Sequence, residues 1–501
     1  MELMLQTNPL CYLKTAVREV RCQEETGETL VPDGEPDIAT LADCAAEVYL
    51  RGKDLREGTV TVAGGVKGTV LYLPEDGTTV RCLECYLPFT IKVEHPALTD
   101  RSDVCCELRV RSVDARILNA RKALLRVNLA CAVTTYQAAA ETFASMESAI
   151  PGVEIRETVT QMELPLEMAE RAFVLSDALE LPAGRPPIET LCRSRCDLLV
   201  TDQKIVGDKA LFKGTLTCKV LYRAPDGSLQ RVSQALPYSQ YCTLDREYDQ
   251  ETVAVLPLLT GCDIESEGGA EPRRVLLTAH ILAQCLVSGT RTVRVIEDAY
   301  ATDGQLEPEW TSVVLSPCLD RQSRVETVQA ALAAPLRDVV DAEAYVDFPA
   351  QNRQEGAVSL RMPVQFRVLG YDGDGRLTAV TAQGEAGESM ALAGNADCVT
   401  VCRLAEGAES IGVSGNQVRC TLRVDSAAYA QQPISCLQAA QWEPEAETGE
   451  RPSVILRSVP ADTALWDLAK SCRASAAAIR AVNHLEGDRI SKETMVLIPV
   501  G

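Results

Sequence analysis

The sequence predicts a mainly β protein: three tandem all-β domains, sandwich-like or barrel-like, followed by a small α+β module. Two observations predict it. An alternating segment ending in Asp-Gly occurs three times at nearly constant spacing, and the last 49 residues read strand, helix, helix, strand.

The repeat begins at Val60-x-Val62-x-Gly64-x-Val66-x-Gly68-x-Val70-x-Tyr72, whose period of two is that of a strand with one face buried, and it reaches the turn dipeptide Asp76-Gly77. Ala210-x-Phe212-x-Gly214-x-Leu216-x-Cys218-x-Val220-x-Tyr222 leads likewise to Asp226-Gly227. Val358-x-Leu360-x-Met362-x-Val364-x-Phe366-x-Val368-x-Gly370 leads to Asp374-Gly375. Val70 and Val220 lie 150 residues apart, and Val220 and Val368 lie 148 apart. Return strands follow at Leu87–Val93 and at Leu236-Pro237-Tyr238, with later strands over Glu107–Val113, Leu124–Thr134, Val275–Leu286 and Gln417–Val424. The expected boundaries are 1–150, 151–310 and 311–440 for the β domains. A helical segment is expected over Glu163–Leu175, between the first two copies. An acidic, proline-punctuated linker is expected over 441–452, before a module at 453–501.

In the module, Val454–Val459 reads as a strand, and Pro460-Ala461-Asp462-Thr463 as the turn that starts a helix. Leu465, Leu468, Ala469 and Cys472 form one apolar stripe at helical spacing. Ser475 is placed to cap a second helix, whose expected buried face is Ala476, Ile479 and Val482, and Met495–Pro499 returns as a strand. Trp466 lies off the stripe centre, which leaves two readings open, a packing residue or an interface anchor.

Composition excludes several functions. The net charge of −22 repels nucleic acid phosphates and anionic membrane surfaces. The module holds six Lys/Arg and five Asp/Glu, a net +1, so −23 resides on the remainder of the chain. No run of eighteen apolar residues and no export signal is read, so the chain is expected to be cytoplasmic, without a transmembrane segment, and its 20 cysteines reduced. Cys131 and Cys218 fall on apolar strand faces, as small core residues. Cys82-x-x-Cys85 near Cys105-Cys106 has a zinc-like spacing but no second pair to complete four ligands. Cys192-x3-Cys196 and Cys398-x3-Cys402 are weaker still. With three histidines, His95, His280 and His484, and neither a phosphate-binding loop nor a nucleophile elbow, no catalytic residue, metal or cofactor is expected, and the chain reads as non-enzymatic.

Two resemblances add to this. Leu465-Trp466-Asp467-Leu468-Ala469-Lys470, Ile479 with Asn483, Leu485, Ile490 and Leu497-Ile498-Pro499 stand where LysM domains have them, so the module resembles LysM. The resemblance implies a ligand or partner groove made by Asp462, Thr463, Ala464, Leu465, Trp466, Asn483, His484, Leu485 and Ile490. Two glycines of that pattern are replaced: Asp462-Thr463-Ala464 stands for Gly-Asp-Thr, and Lys492-Glu493 for Pro-Gly. Side chains there obstruct close approach of a glycan, which favours a protein partner over peptidoglycan. Val31-Pro32-Asp33-Gly34-Glu35-Pro36-Asp37-Ile38, with the strands ending at Tyr72 and Tyr222, resembles SPOCS (DUF3794) proteins. SPOCS repeats followed by LysM resemble clostridial spore-coat morphogenetic proteins. That resemblance implies a scaffold on the mother-cell side of the forespore surface, its LysM docking on a coat-basement ATPase and its β domains on coat proteins or on one another. The alternative is a cell-envelope protein that binds peptidoglycan N-acetylglucosamine through LysM.

Overall fold

The computed structural model describes residues 3–75, 77, 79–146, 150–354, 357–391, 396–443 and 453–500. The fold is mainly β, as the alternation predicts, and one strand order recurs three times. Copy 1 consists of β1 (Gln6–Leu30), β2 (Thr40–Arg56), β3 (Thr59–Leu73), β4 (Arg81–Glu94), β5 (Asp103–Asn119) and β6 (Lys122–Ser145). The sheet β2-β3-β4 packs on the sheet β1-β6-β5, every pair antiparallel. Copy 2 consists of β7 (Val153–Glu180), β8 (Thr190–Arg223), β9 (Leu229–Tyr248), β10 (Thr252–Ser266) and β11 (Arg274–Ala301). At about 3.3 Å per residue, the 34 residues of β8 would run about 110 Å if straight. Instead they fold back at Gly207, where φ is +61°, and Thr201 Oγ1 donates to the Lys213 carbonyl at 3.3 Å, so β8 is a hairpin equivalent to β2 and β3.

Copy 3 divides the same path more finely: β12 (Gln305–Leu315), β13 (Cys318–Ala331), β14 (Asp338–Val346), β15 (Ala350–Gln354), β16 (Ala357–Tyr371), β17 (Leu377–Ala391), β18 (Ala396–Ala408), β19 (Ile411–Ser414), β20 (Gln417–Ala430) and β21 (Gln432–Glu443). Pairing of β12 with β21 joins 305–315 to 432–443, so 305–310 run with copy 3. Gln441, Trp442 and Glu443, expected in the linker, are strand residues of β21. The rest of that linker, 444–452, lies outside the described residues.

The repeat positions form the three cores. Val66, Val70, Leu125 and Cys131 are fully buried in copy 1, Leu216, Cys218 and Val220 in copy 2, and Phe366 and Val368 in copy 3. The turn glycines Gly77, Gly227 and Gly375 all adopt positive φ, which glycine does at no steric cost. Asp76 lies outside the described residues. Gly64 and Gly214 serve another purpose, since a Cβ there would collide with the rings of Phe89 and Tyr238 that lie across the strand.

The helix expected over 163–175 is strand β7, paired with β11 from Val153 to Glu180. A bulge explains the misleading pattern. Glu167 pairs Val287 and Pro165 pairs Ser288, so Leu166 is the extra residue and the buried side switches phase there. Met162 and Leu164 are buried before it, Phe173 and Leu179 after it, and the switch imitates a helical period. A bulge at the equivalent place in β1, at Ala16, and the break between β12 and β13 mark the same bend. Beyond the bend the outer strand ends of all three copies gather into a stalk around Tyr12, Phe143, Leu164, Val295 and Leu315.

The C-terminal module is β22 (Val454–Val459), α1 (Leu465–Cys472), α2 (Ala476–Asn483) and β23 (Thr494–Pro499), with β22 and β23 antiparallel. Leu465, Leu468, Ala469, Ile479, Ile490, Val496 and Ile498 form its core. Cys472 is half-buried. Val482, expected inside, is 48% exposed, because α2 points Ile479 inward and has only eight residues. Ser475 occupies the N-cap position of α2 without a side-chain hydrogen bond.

Candidate functional site

Two places concentrate polar chemistry: the axis where the copies meet, and the contact between module and stalk. The axis follows from strand parity. On β2 and β3, Cys44, Val66, Val70 and Tyr72 point into the copy 1 core, so Asp43, Ala45, Glu47, Thr69 and Leu71 point away from it. The same holds 150 and then 148 residues on, and the three outward faces meet. Leu71, Leu221 and Leu369 pack together as an apolar cap with Ala42 and Cys192.

Beneath the cap lies a buried ion cluster drawn from all three copies. Arg193 of copy 2 donates from Nη1 to Asp43 of copy 1 at 2.7 Å and from Nη2 to Asp341 of copy 3. Lys219 donates to Glu343 and to the Ala342 carbonyl (2.9 Å), and its Nζ lies 3.0 Å from Asp341. Arg195 reaches Glu343 at 2.6 Å and Asp197 at 3.1 Å, and Arg367 reaches Asp43. Four cations thus face four carboxylates. Burial would raise the Glu343 carboxyl, but Lys219, Arg195 and Arg193 hold it well below the usual range. Bulges in β2 and β14, at equivalent positions, aim Asp43 and Asp341 inward.

Below the ions is a cavity of about 200 Å³ lined by Glu47, Arg109, Arg195, Asp197, Tyr345 and Arg403, among others. Its bonds run around the axis. The Cys196 amide of copy 2 donates to Glu47 of copy 1 (2.7 Å), the Ala46 amide of copy 1 to the Tyr345 hydroxyl of copy 3 (3.3 Å), and Arg403 of copy 3 to the Leu198 carbonyl of copy 2 (3.4 Å). Burial pushes the Glu47 carboxyl up to about 7, against the pull of the Tyr49 hydroxyl and the Cys196 amide. Asp197 Oδ2 is buried without a hydrogen-bond partner. The sequence signal for this face was the consecutive apolar run Val70-Leu71-Tyr72, repeated as Val220-Leu221-Tyr222. Adjacent apolar residues on a strand mean that both faces are buried.

The Val31–Ile38 segment is a turn clasped by Arg121, which donates to the carbonyls of Val31 (3.1 Å), Pro32 (2.9 Å) and Glu35 (2.7 Å) and to Asp37 (3.0 Å). Tyr72 closes it through its hydroxyl to the Pro36 carbonyl at 3.0 Å. Copy 2 repeats the arrangement, with Arg273 on the Pro182 and Arg185 carbonyls and Tyr222 on Pro186 at 3.0 Å.

In the module the expected groove residues divide. Asp462, Thr463 and Ala464 lie beside Ile490: the Asp462 amide donates to the Ile490 carbonyl (2.7 Å), the Ile490 amide to the Thr463 carbonyl (2.9 Å), and Ala464 bridges Arg489. Leu465 and Ile490 are buried in the module core, and Leu485 is half-buried against it. Asn483 ties α2 to β23 with both amide atoms, to the Leu497 carbonyl (2.6 Å) and amide (2.8 Å), and His484 ends α2 in the left-handed conformation. Trp466 faces the stalk. Its indole nitrogen donates to Asp298 Oδ2 at 2.8 Å, and its ring meets Tyr300 edge-on at 4.9 Å. Lys470 reaches Asp298 Oδ1 at 2.6 Å, and the Tyr300 hydroxyl donates to the Ala474 carbonyl at 2.9 Å. Lys470 and Trp466 hold the Asp298 carboxyl below its ordinary range although burial opposes them.

Residues 37–118 and 187–258 match the family model described as SipL, SPOCS domain. Two stretches of the chain are thus SPOCS-type. The matched stretches cover most of β2–β5 in copy 1 and the equivalent β8, β9 and start of β10 in copy 2, and they include the strands that face the axis. The match extends to neither copy 3 nor the C-terminal module. No curated protein and no solved structure matches the chain. Among the described residues no helix is long and apolar enough to cross a membrane, and no group of three or more His, Cys, Asp or Glu is placed to hold a metal ion.

Proposed function

We propose that this SPOCS protein is a non-enzymatic scaffold of the spore coat, working on the mother-cell side of the forespore surface, with a LysM-like module that docks on a protein partner such as a coat-basement ATPase. In this reading the three copies are three SPOCS-type domains and the stalk presents the module. The observation that carries the proposal is the outer face of the β22–β23 sheet. Val454, Leu456, Met495 and Leu497 share that face and are 52%, 59%, 53% and 41% exposed. A contiguous apolar face left bare on a sheet is the mark of a protein contact. The module's single aromatic ring, Trp466, is engaged with the stalk, which takes from the glycan reading the flat surface on which a sugar would stack.

The test offers the full chain to the purified coat ATPase and, separately, to peptidoglycan sacculi, alongside Leu456→Glu and Leu497→Glu. Both changes lie on exposed positions and leave the module core intact. Retention by the ATPase that either variant abolishes supports the scaffold. Retention by sacculi alone, unaffected by the variants, supports the envelope-protein alternative.

A further inference from the structure

Cys196 of copy 2, on the cavity wall, faces a second sulfur of the same copy, Cys262. Cys196 on the first arm of β8 and Cys262 on β10 bring their Sγ atoms to 3.5 Å. Cys196 is 5% exposed and lines the cavity, while Cys262 is half-buried. The two strands belong to different sheets, β8 with β9 and β10 with β11. The fold does not require thiols at these places. In copy 1 the equivalent residues are Ala46 and Val113, Val113 facing Val127 as Cys262 faces Ala279, and copy 3 has Ala344 in place of Cys196.

We propose that Cys196 and Cys262 are an oxidation site, a thiol pair that closes to a disulfide and staples the two sheets of copy 2 beside the axis. The oxidant is a small peroxide, which reaches the half-buried Cys262. The Cys262 thiolate attacks one peroxide oxygen, the O–O bond breaks, and water leaves, so Cys262 becomes a sulfenic acid. The Cys196 sulfur then displaces the hydroxyl group, the S–S bond forms, and a second water carries off the remaining thiol proton. Two thiols are oxidised by two electrons as one peroxide is reduced to two waters. Contacts with the Cys218 and Cys262 thiols, together with burial, push the Cys196 thiol well above its usual range, which makes it the resolving partner and Cys262 the attacking one. Closure needs the sulfurs to approach by about 1.5 Å, to a bond of about 2.05 Å, a move within reach of side-chain rotation at a half-buried residue.

The experiment treats the folded full chain with millimolar hydrogen peroxide, alkylates the remaining thiols under denaturing conditions, and maps the digested peptides by mass spectrometry. The expected result is a Cys196–Cys262 linked peptide, lighter by two hydrogens than the reduced pair, that forms before other cysteines react and disappears on reduction. Cys262→Ser should abolish it and return Cys196 in alkylated form, and Cys218→Ser should leave it in place. Recovery of Cys196 and Cys262 both alkylated after treatment, or linkage of Cys196 to Cys218 instead, would overturn the proposal.

Discussion

In the cores of the three copies, equivalent positions carry like residues; beneath the leucine cap on the axis between them, three equivalent positions carry unlike ones. Val70, Val220 and Val368 are each fully buried, every one filling the same space in its own copy. Asp43, Arg193 and Asp341 stand at one equivalent position, Ala45, Arg195 and Glu343 at another, and Thr69, Lys219 and Arg367 at a third. A core position answers to a single fold and so repeats, whereas an axial position faces its own counterparts and has to complement them. Three identical chains would put three Asp43 carboxylates together, which the low dielectric of a buried site forbids. Joining the copies in one chain lets them differ, and the charges then favour one order of the copies around the axis. The cluster is therefore an ordering device as much as a source of stability.

Breaking the comparison at its centre should have the largest effect. Arg193→Gln leaves Asp43 and Asp341 facing each other, and a loss of about 3–5 kcal/mol in unfolding free energy is expected by denaturant titration. Glu47→Gln should act through pH. The folded state raises the Glu47 carboxyl, so it holds a proton that the unfolded chain has released, and stability falls as pH rises from about 4.5 through about 7. Glutamine does not titrate; the variant should gain about 1–3 kcal/mol over the parent at pH 8 and nothing below pH 4.5, read from melting temperatures across that range.

The turn clasps sharpen the same comparison between copies. From the residue fixed by Arg121, Arg273 or Asn416 to the start of the next strand, the chain is three residues shorter in copy 3 (332–337) than in copies 1 and 2 (31–39 and 181–189). Gly370 stands where Tyr72 and Tyr222 stand, and a Cβ there would lie 2.6 Å from the Asp338 carbonyl. Gly370→Tyr should therefore cost about 1–3 kcal/mol by overpacking, whereas Tyr72→Phe and Tyr222→Phe should each cost about 1 kcal/mol, the value of one hydroxyl bond. The smallest effect is expected at the stalk. Asp298→Asn removes the charge that holds Lys470, and hydrogen exchange should show faster opening of α1, by about 1 kcal/mol or less, with the cores of the three copies unchanged.

Much of the fold was legible because the repeat is written in the core faces, in the Asp-Gly turns and in the constant spacing. The helical layer of the module was equally plain from the stripe Leu465, Leu468, Ala469. The axis was hidden by ordinary chemistry, since a charged residue alternating with buried ones on one strand reads as solvated surface. Asp43 and Arg193 reveal themselves only when the copies are aligned and their signs compared. Leu166 concealed β7 by shifting its buried side, as a one-residue bulge does. Trp466 was read from one helix alone, and its partner Asp298 lies 168 residues away. Among the expected groove residues, no local pattern separates Asp462 and Thr463, which lie beside Ile490, from Asn483, which ties α2 to β23.

The most direct test is a double-mutant cycle on Arg193→Gln and Asp341→Asn, with unfolding free energies measured for the parent, both single variants and the pair. If the copies are ordered by their axial charges, the two losses are coupled by more than about 1 kcal/mol, the double variant being less damaged than the sum of the singles. Losses that add to within about 0.3–0.5 kcal/mol would show that Arg193 and Asp341 do not meet, and would contradict the shared axis.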